Sequence, residues 1–198
     1  YQHLILDEFL LSAFQDGSGW WGNKYGIQVG VRFFDLFAFE GLYSLIEWNA
    51  VRPYTYSHMN SMQNYGHRNQ SLAHPLESNF REFLALIGYQ KNNLDFWVKY
   101  AYQQFGRDFQ NYNFGGDMFQ PYISRAGGDY GHEIGQGNTI NQHQFEIRTS
   151  LLLVALSNTK LFTQFNYRYN SSINNNITES FLFSIGITSN LWQSYLDY

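Results

Sequence analysis

The chain has 198 residues, of which 20% are aromatic and only 14% charged, with a net charge of -4 and no cysteine. An average soluble domain carries about 25% charged residues, so this sequence is poor in the groups that normally cover a water-facing surface. The absence of a Lys/Arg stripe excludes a nucleic-acid partner, and the absence of cysteine excludes disulfides and thiolate metal sites while suiting an exported bacterial protein.

The longest apolar run, residues 151–156, is far shorter than the ~20 residues a membrane-spanning helix requires. Any crossing of a membrane must therefore use strands. The first residue is Tyr1, with neither an initiator Met nor a signal peptide, as expected of a processed mature form or a piece of a longer protein.

In chain order, residues 4–14 are a strand whose parity slips at Asp7 and Glu8, and residues 15–24 form a loop. Residues 25–34 alternate strictly: Tyr25, Ile27, Val29, Val31 and Phe33 on one face, Gly26, Gln28, Gly30 and Arg32 on the other. A turn over residues 35–41 leads to a strand over 42–56, with Ile46 and Trp48 opposite Glu47 and Asn49. After a long loop, 57–79, comes an apolar strand, 83–89, and a short turn, 90–93. Leu94, Phe96, Val98, Tyr100 and Tyr102 then share a face, as do Phe145, Ile147, Thr149 and Leu151 beyond the second long loop, 106–139. A short turn, 157–159, leads to Leu161, Thr163, Phe165, Tyr167 and Tyr169. The link 170–178 leads to the last strand, where Phe181, Phe183, Ile185 and Ile187 share a face, and residues 191–198 end the chain on an aromatic.

The clear strands span about ten residues, the length of a tilted membrane strand, against five or six for strands of soluble domains. Short and long connections alternate. A bacterial barrel keeps its C-terminus and tight turns in the periplasm and its long loops outside, and the observed parity matches. The polar face carries Gly, Gln, Ser, Asn and Thr with Arg32, Glu47, Lys99, Glu146, Arg148 and Arg168, charges that can pair across a lumen; the other face is nearly free of charge and gathers Tyr and Phe toward strand ends. Residues 1–198 thus read as one all-β domain: an antiparallel transmembrane β-barrel with about eight visible strands, or the C-terminal portion of one, in the bacterial outer membrane. A soluble sandwich is the competing fold.

The candidate binding residues lie in the long loops. Tyr54, Tyr56, His58, Tyr65, His67 and His74 in the first, and Arg107, Asp117 and Tyr130 in the second, combine flat rings with amides and charges. That pairing suits sugars, whose apolar faces stack on rings while their hydroxyls take hydrogen bonds. The histidine spacings fit no standard metal pattern, Gly115-Gly116-Asp117 and Gly127-Gly128-Asp129 lack the acid series of a calcium loop, and neither metal nor cofactor is expected. Ser57 with His58, or Asp129 with His132, are the only candidates for hydrolytic catalysis, and nothing in the sequence orients them. The sequons at Asn170 and Asn176 mark a polar surface loop.

The segment RPYTYSH followed by NYGHRNQSLAHPLESNFRE resembles the barrel part of the Wzi-like capsule assembly proteins, and especially the gliding motility protein RemB and its relatives in Bacteroidetes. Ala73-His74-Pro75-Leu76, Asn79-Phe80 and Glu82 match the family's pattern, while Glu77-Ser78 stands where the family has Gly-Ala. The resemblance covers residues 42–102 and the remainder by pattern. It implies a non-enzymatic outer-membrane barrel of more than eight strands. Its partners would be outer-membrane lipid, exported surface polysaccharide, and other outer-membrane or surface proteins of a capsule or adhesion assembly. A porin-like channel and a barrel hydrolase are the alternatives.

Overall fold

Residues with strict apolar–polar alternation form long strands, and each strand pairs with the next. The computed structural model describes residues 1–174 and 176–190. Its strands are β1 (Gln2–Glu8), β2 (Lys24–Phe34), β3 (Leu42–Val51), β4 (Gly66–His67), β5 (Gln70–Ser71), β6 (Phe80–Lys91), β7 (Leu94–Arg107), β8 (Asn138–Val154), β9 (Thr159–Ser172) and β10 (Ile177–Thr188), with one short α-helix, α1 (Leu11–Gln15), and 3-10 turns at Leu36–Ala38, Ser61–Gln63 and Tyr122–Ser124. Eight of them make one antiparallel sheet in the order β1-β2-β3-β6-β7-β8-β9-β10, while β4 and β5 form a small hairpin within the loop between β3 and β6. No helix among the described residues is long and apolar enough to cross a membrane.

The sheet is open. Closure into a barrel requires the first and last strands to share a ladder, and among the described residues β1 pairs only with β2 and β10 only with β9. These eight strands therefore form an antiparallel sheet and do not themselves close a barrel. Residues 191–198 and the centre of the 170–178 link lie outside the described residues.

Two strand limits differ from the sequence reading for identifiable reasons. The strand expected over 4–14 stops at Glu8, where the ladder with β2 slips between Leu6 and Glu8. The Leu10 amide then donates to Asn23 Oδ1 at 2.7 Å and the chain coils into α1. The strand expected over 42–56 stops at Val51, because Pro53 follows and Tyr54 and Tyr56 take φ of 64° and 71°, a left-handed conformation no ladder accepts. At the opposite end, the turn 35–41 closes through Asp35 Oδ1, which accepts the Gly41 amide at 2.8 Å. Gly41 has φ 81°, and a Cβ there would lie 2.0 Å from Gln90 O.

Register places the alternating residues in two coherent faces. Across one face run Val29, Trp48, Phe83, Tyr102, His143 and Tyr169, and beside them Val31, Ile46, Ala85, Tyr100, Phe145, Tyr167 and Phe181. Among the described residues no element covers this face, and Val29 is 49%, Ile87 48% and Phe183 67% exposed. On the other face, Glu82, Asn49 and Glu146 are buried and hydrogen-bonded. Asn49 Nδ2 donates to Glu47 at 2.8 Å and to Glu82 at 2.9 Å, Gln103 donates to Glu82 at 2.6 Å, and Lys99 pairs with Glu146 at 2.6 Å. A sheet that buried its greasy side against its own chain would show the reverse pattern.

Candidate functional site

The connections alternate in length, so residues 9–23, 52–79 and 108–137 all emerge at one end of the sheet. There they build the molecule's core. Val51, Tyr56, Phe80, Phe105 and Met118 are buried together, with Ile5, Leu76, Phe119 and Ile140 packed on them. The three long loops and the strand ends beneath them thus form a folded cap.

Hydrogen bonds hold the cap at a few points. Asn79, fully buried with φ 60°, donates through Nδ2 to Phe114 O at 3.2 Å and Gln136 O at 3.0 Å, and its Oδ1 accepts the Gly135 amide at 2.7 Å. One side chain thereby locks the second loop to the third. Lys24 is fully buried, donates to Glu8 at 2.9 Å and Ser57 O at 3.2 Å, and lies 4.0 Å from the centre of the Tyr122 ring. The Trp21 ring stands between Tyr122, 4.9 Å away, and Arg125, whose guanidinium lies 4.5 Å from its centre, a cation–π stack that joins the first loop to the third.

The motif residues 73–82 act as one unit. His74 stacks on Phe80 with ring centres 4.4 Å apart. Its Nδ1 accepts the Leu76 amide at 3.1 Å, and its Nε2 lies 3.1 Å from the Glu82 carboxylate. These contacts tie His74, Leu76, Phe80 and Glu82 together at the start of β6.

Three cavities open in or beside the cap. The first, about 340 Å³, lies between the polar face of β1–β3 and the second loop; Tyr56, Tyr65 and His74 line it with His3, Gln28 and Asn49. Tyr56 and Tyr65 stack with centres 5.7 Å apart. Tyr65 is 48% exposed while Tyr56 is buried, and burial raises the Tyr56 phenol pKa. The second cavity, about 310 Å³, lies between the first and third loops and is lined by Trp20, Tyr25, Arg52, His132 and Glu133 among others. The third, about 540 Å³, brings Arg107 and Asp117 together with Glu77, Asp108, Asn69 and Phe119. Its carboxylates are engaged by the protein: Asp108 accepts the Phe114 amide, Asp117 the Phe119 amide and Glu77 the Met118 amide, and burial raises the Glu77 pKa.

Of the nine candidate binding residues, Tyr56, Tyr65 and His74 thus converge on one cavity and Arg107 and Asp117 on another. Tyr54 is fully buried and donates to Asn113 O at 3.0 Å; burial pushes its pKa up to about 12. It serves the cap's core, not a surface. His58 lies 4.0 Å from Asp7, His67 sits on the exposed β4–β5 hairpin, and Tyr130 is 64% exposed and lines none of the three cavities. The six charged residues Arg32, Glu47, Lys99, Glu146, Arg148 and Arg168 fall on one face by register. Trp20, Arg52, Asn49 and Gln28 line these cavities without having been among the candidate binding residues; they come from separate segments, and no local pattern marks them as neighbours.

Among the described residues no three His, Asp or Glu side chains converge as a metal-binding set. Ser57 Oγ donates to Tyr54 O at 2.7 Å, not to His58. His132 Nε2 lies 2.9 Å from Gly128 O, and Asp129 pairs with Arg125. No nucleophile–base contact is made by either pair.

Comparison of the chain with protein-family models, with curated proteins and with solved structures finds no match.

Proposed function

We propose that the chain is part of a non-enzymatic β-barrel of a Gram-negative outer membrane, with its C-terminus in the periplasm. In this reading the cap is at the cell surface and binds exported polysaccharide, as the resemblance to the Wzi- and RemB-like proteins implies. The observation that carries the reading is the distribution of the two faces. Among the described residues the apolar face of eight strands has no covering element, while the opposite polar face is cross-linked by Asn49, Glu82, Gln103, Lys99 and Glu146. Lipid is the solvent that stabilises such an exposed face; water would oppose it.

The aromatic rows support the same orientation. Tyr100, Tyr102, His143 and Tyr169 gather toward the long-loop ends of their strands, with Tyr102 donating to Asn141 at 2.9 Å and the Tyr100 hydroxyl 2.8 Å from His143. Rings with a bonded polar tip suit the boundary between hydrocarbon and water. Polysaccharide is favoured over free passage of solutes because the second loop folds over the polar face, where Tyr65 and His74 share a cavity with Gln28 and Asn49.

Binding of surface polysaccharide to the detergent-solubilised protein tests the reading. Tyr65→Ala removes an exposed ring of that cavity, one that stacks on Tyr56 at the edge of the core, and is expected to weaken binding about tenfold, ~1.4 kcal/mol. Unchanged binding would reject the cavity as the site.

A further inference from the structure

We infer that the cavity between the first and third loops is a second binding site, built for a carboxylate; on the polysaccharide reading above, its ligand is an acidic sugar unit. Arg52 stands in the wall of this cavity of about 310 Å³. Its Nη2 donates to Trp20 O at 3.1 Å, but its Nε is buried without a hydrogen-bond partner, and so is the hydroxyl of Ser18 in the same wall. Among the described residues no carboxylate lies within 4.0 Å of the Arg52 guanidinium. Buried polar groups are paired in the great majority of cases, and two donors without partners in one wall are what an acceptor bound there would satisfy, after the small shift that uncovers them.

The donor set selects the ligand. A guanidinium offers a planar fork that matches the two oxygens of a carboxylate, and a hydroxyl beside it can donate a further bond. Trp20 and Tyr25 supply flat apolar walls, as the ring of a sugar requires. The volume is at the lower bound of the ~300–1,000 Å³ typical of small-molecule sites, which admits one ring of a chain. His132 does not compete, since Gly128 O and the Gln136 side chain face its two nitrogens. Glu133 does oppose the anion: it lines the cavity, is exposed, and is the negative group a ligand must pass.

The test titrates the detergent-solubilised protein with a galacturonate hexamer and a neutral glucose hexamer. The acidic oligomer is expected to bind at least about tenfold tighter, with an affinity that falls as salt rises. Arg52→Gln should abolish that preference, while Glu133→Gln, at an exposed position, should strengthen acidic binding by about threefold or more. If Arg52→Gln loosens the cap, seen as faster proteolysis of residues 108–137, the Glu133→Gln result decides alone. Equal binding of the two oligomers, or acidic binding unmoved by Glu133→Gln, overturns the inference. Neutral binding that is lost in Tyr65→Ala would then leave the polysaccharide reading standing, and no binding of either oligomer would overturn both.

Discussion

Lys99 Nζ lies 2.6 Å from Glu146 Oε2, at directly paired positions of β7 and β8. Glu146 is buried and also accepts from Gln164 at 2.6 Å, so the carboxylate has two partners and little water. Removing one partner of a buried pair leaves an uncompensated charge, whereas removing both does not. Lys99→Met is therefore expected to cost about 1–3 kcal/mol of unfolding free energy, and adding Glu146→Gln to recover part of that loss. Denaturant titration in lipid vesicles measures both; strictly additive losses would show that the pair contributes nothing.

Asn79 is predicted to be the residue on which the cap most depends. Asn79→Ala deletes three hydrogen bonds and places a residue without a stabilising side chain at φ 60°, an expected loss of about 2–4 kcal/mol confined to the cap. Limited proteolysis should then cut residues 108–137 faster while the sheet stays resistant. Asn79→Gly relieves the backbone strain but not the lost bonds, so it should rescue only partly.

Gly88 and Tyr43 make a close contact on the polar face, where the Tyr43 ring lies across the paired glycine. A Cβ at position 88 would come within 2.2 Å of that ring, so Gly88→Ala is expected to destabilise by about 1–3 kcal/mol. Gly128 has open space around it, and Gly128→Ala should fall within about 0.5 kcal/mol of wild type. Equal effects in an unfolding titration would contradict the packing described.

Tyr54 sets a pH limit on the cap. Burial holds its phenol neutral, raising the pKa from 10.0 to about 12. The folded cap thus binds this proton more tightly than the unfolded chain does. The resulting stabilisation is complete below pH 10.0 and is lost as pH rises through about 12. The difference in ultraviolet titration between wild type and Tyr54→Phe should be centred near the upper value; a midpoint at 10.0 would place the phenol in water.

The sheet was legible because alternation is a local property. Val98 and Ile147 fall on the same face in the sequence pattern and are paired in the structure, and the six charges assigned to the polar face lie there by register. The break at Glu8 was visible only as lost parity, since the Asn23 side chain that redirects the backbone belongs to another segment. The cap was not legible. Tyr54, Asn79 and Met118 are buried because residues 52–79 and 108–137 meet, and loops in contact have no period to read. Composition marked these loops as rich in rings and amides but could not tell Tyr54, a core residue, from Tyr65, an exposed one.

The absence of native cysteine allows the central claim to be measured directly. Single cysteines at 144 to 149 of β8, labelled with a nitroxide in the vesicle-reconstituted protein, report collision with oxygen, which concentrates in lipid, against a water-soluble nickel chelate. A sheet with one face in lipid gives a period of two, with Phe145, Ile147 and Thr149 open to oxygen and Gln144, Glu146 and Arg148 shielded from it. Equal accessibility at odd and even positions, or a folded monomer in buffer without detergent, would contradict it.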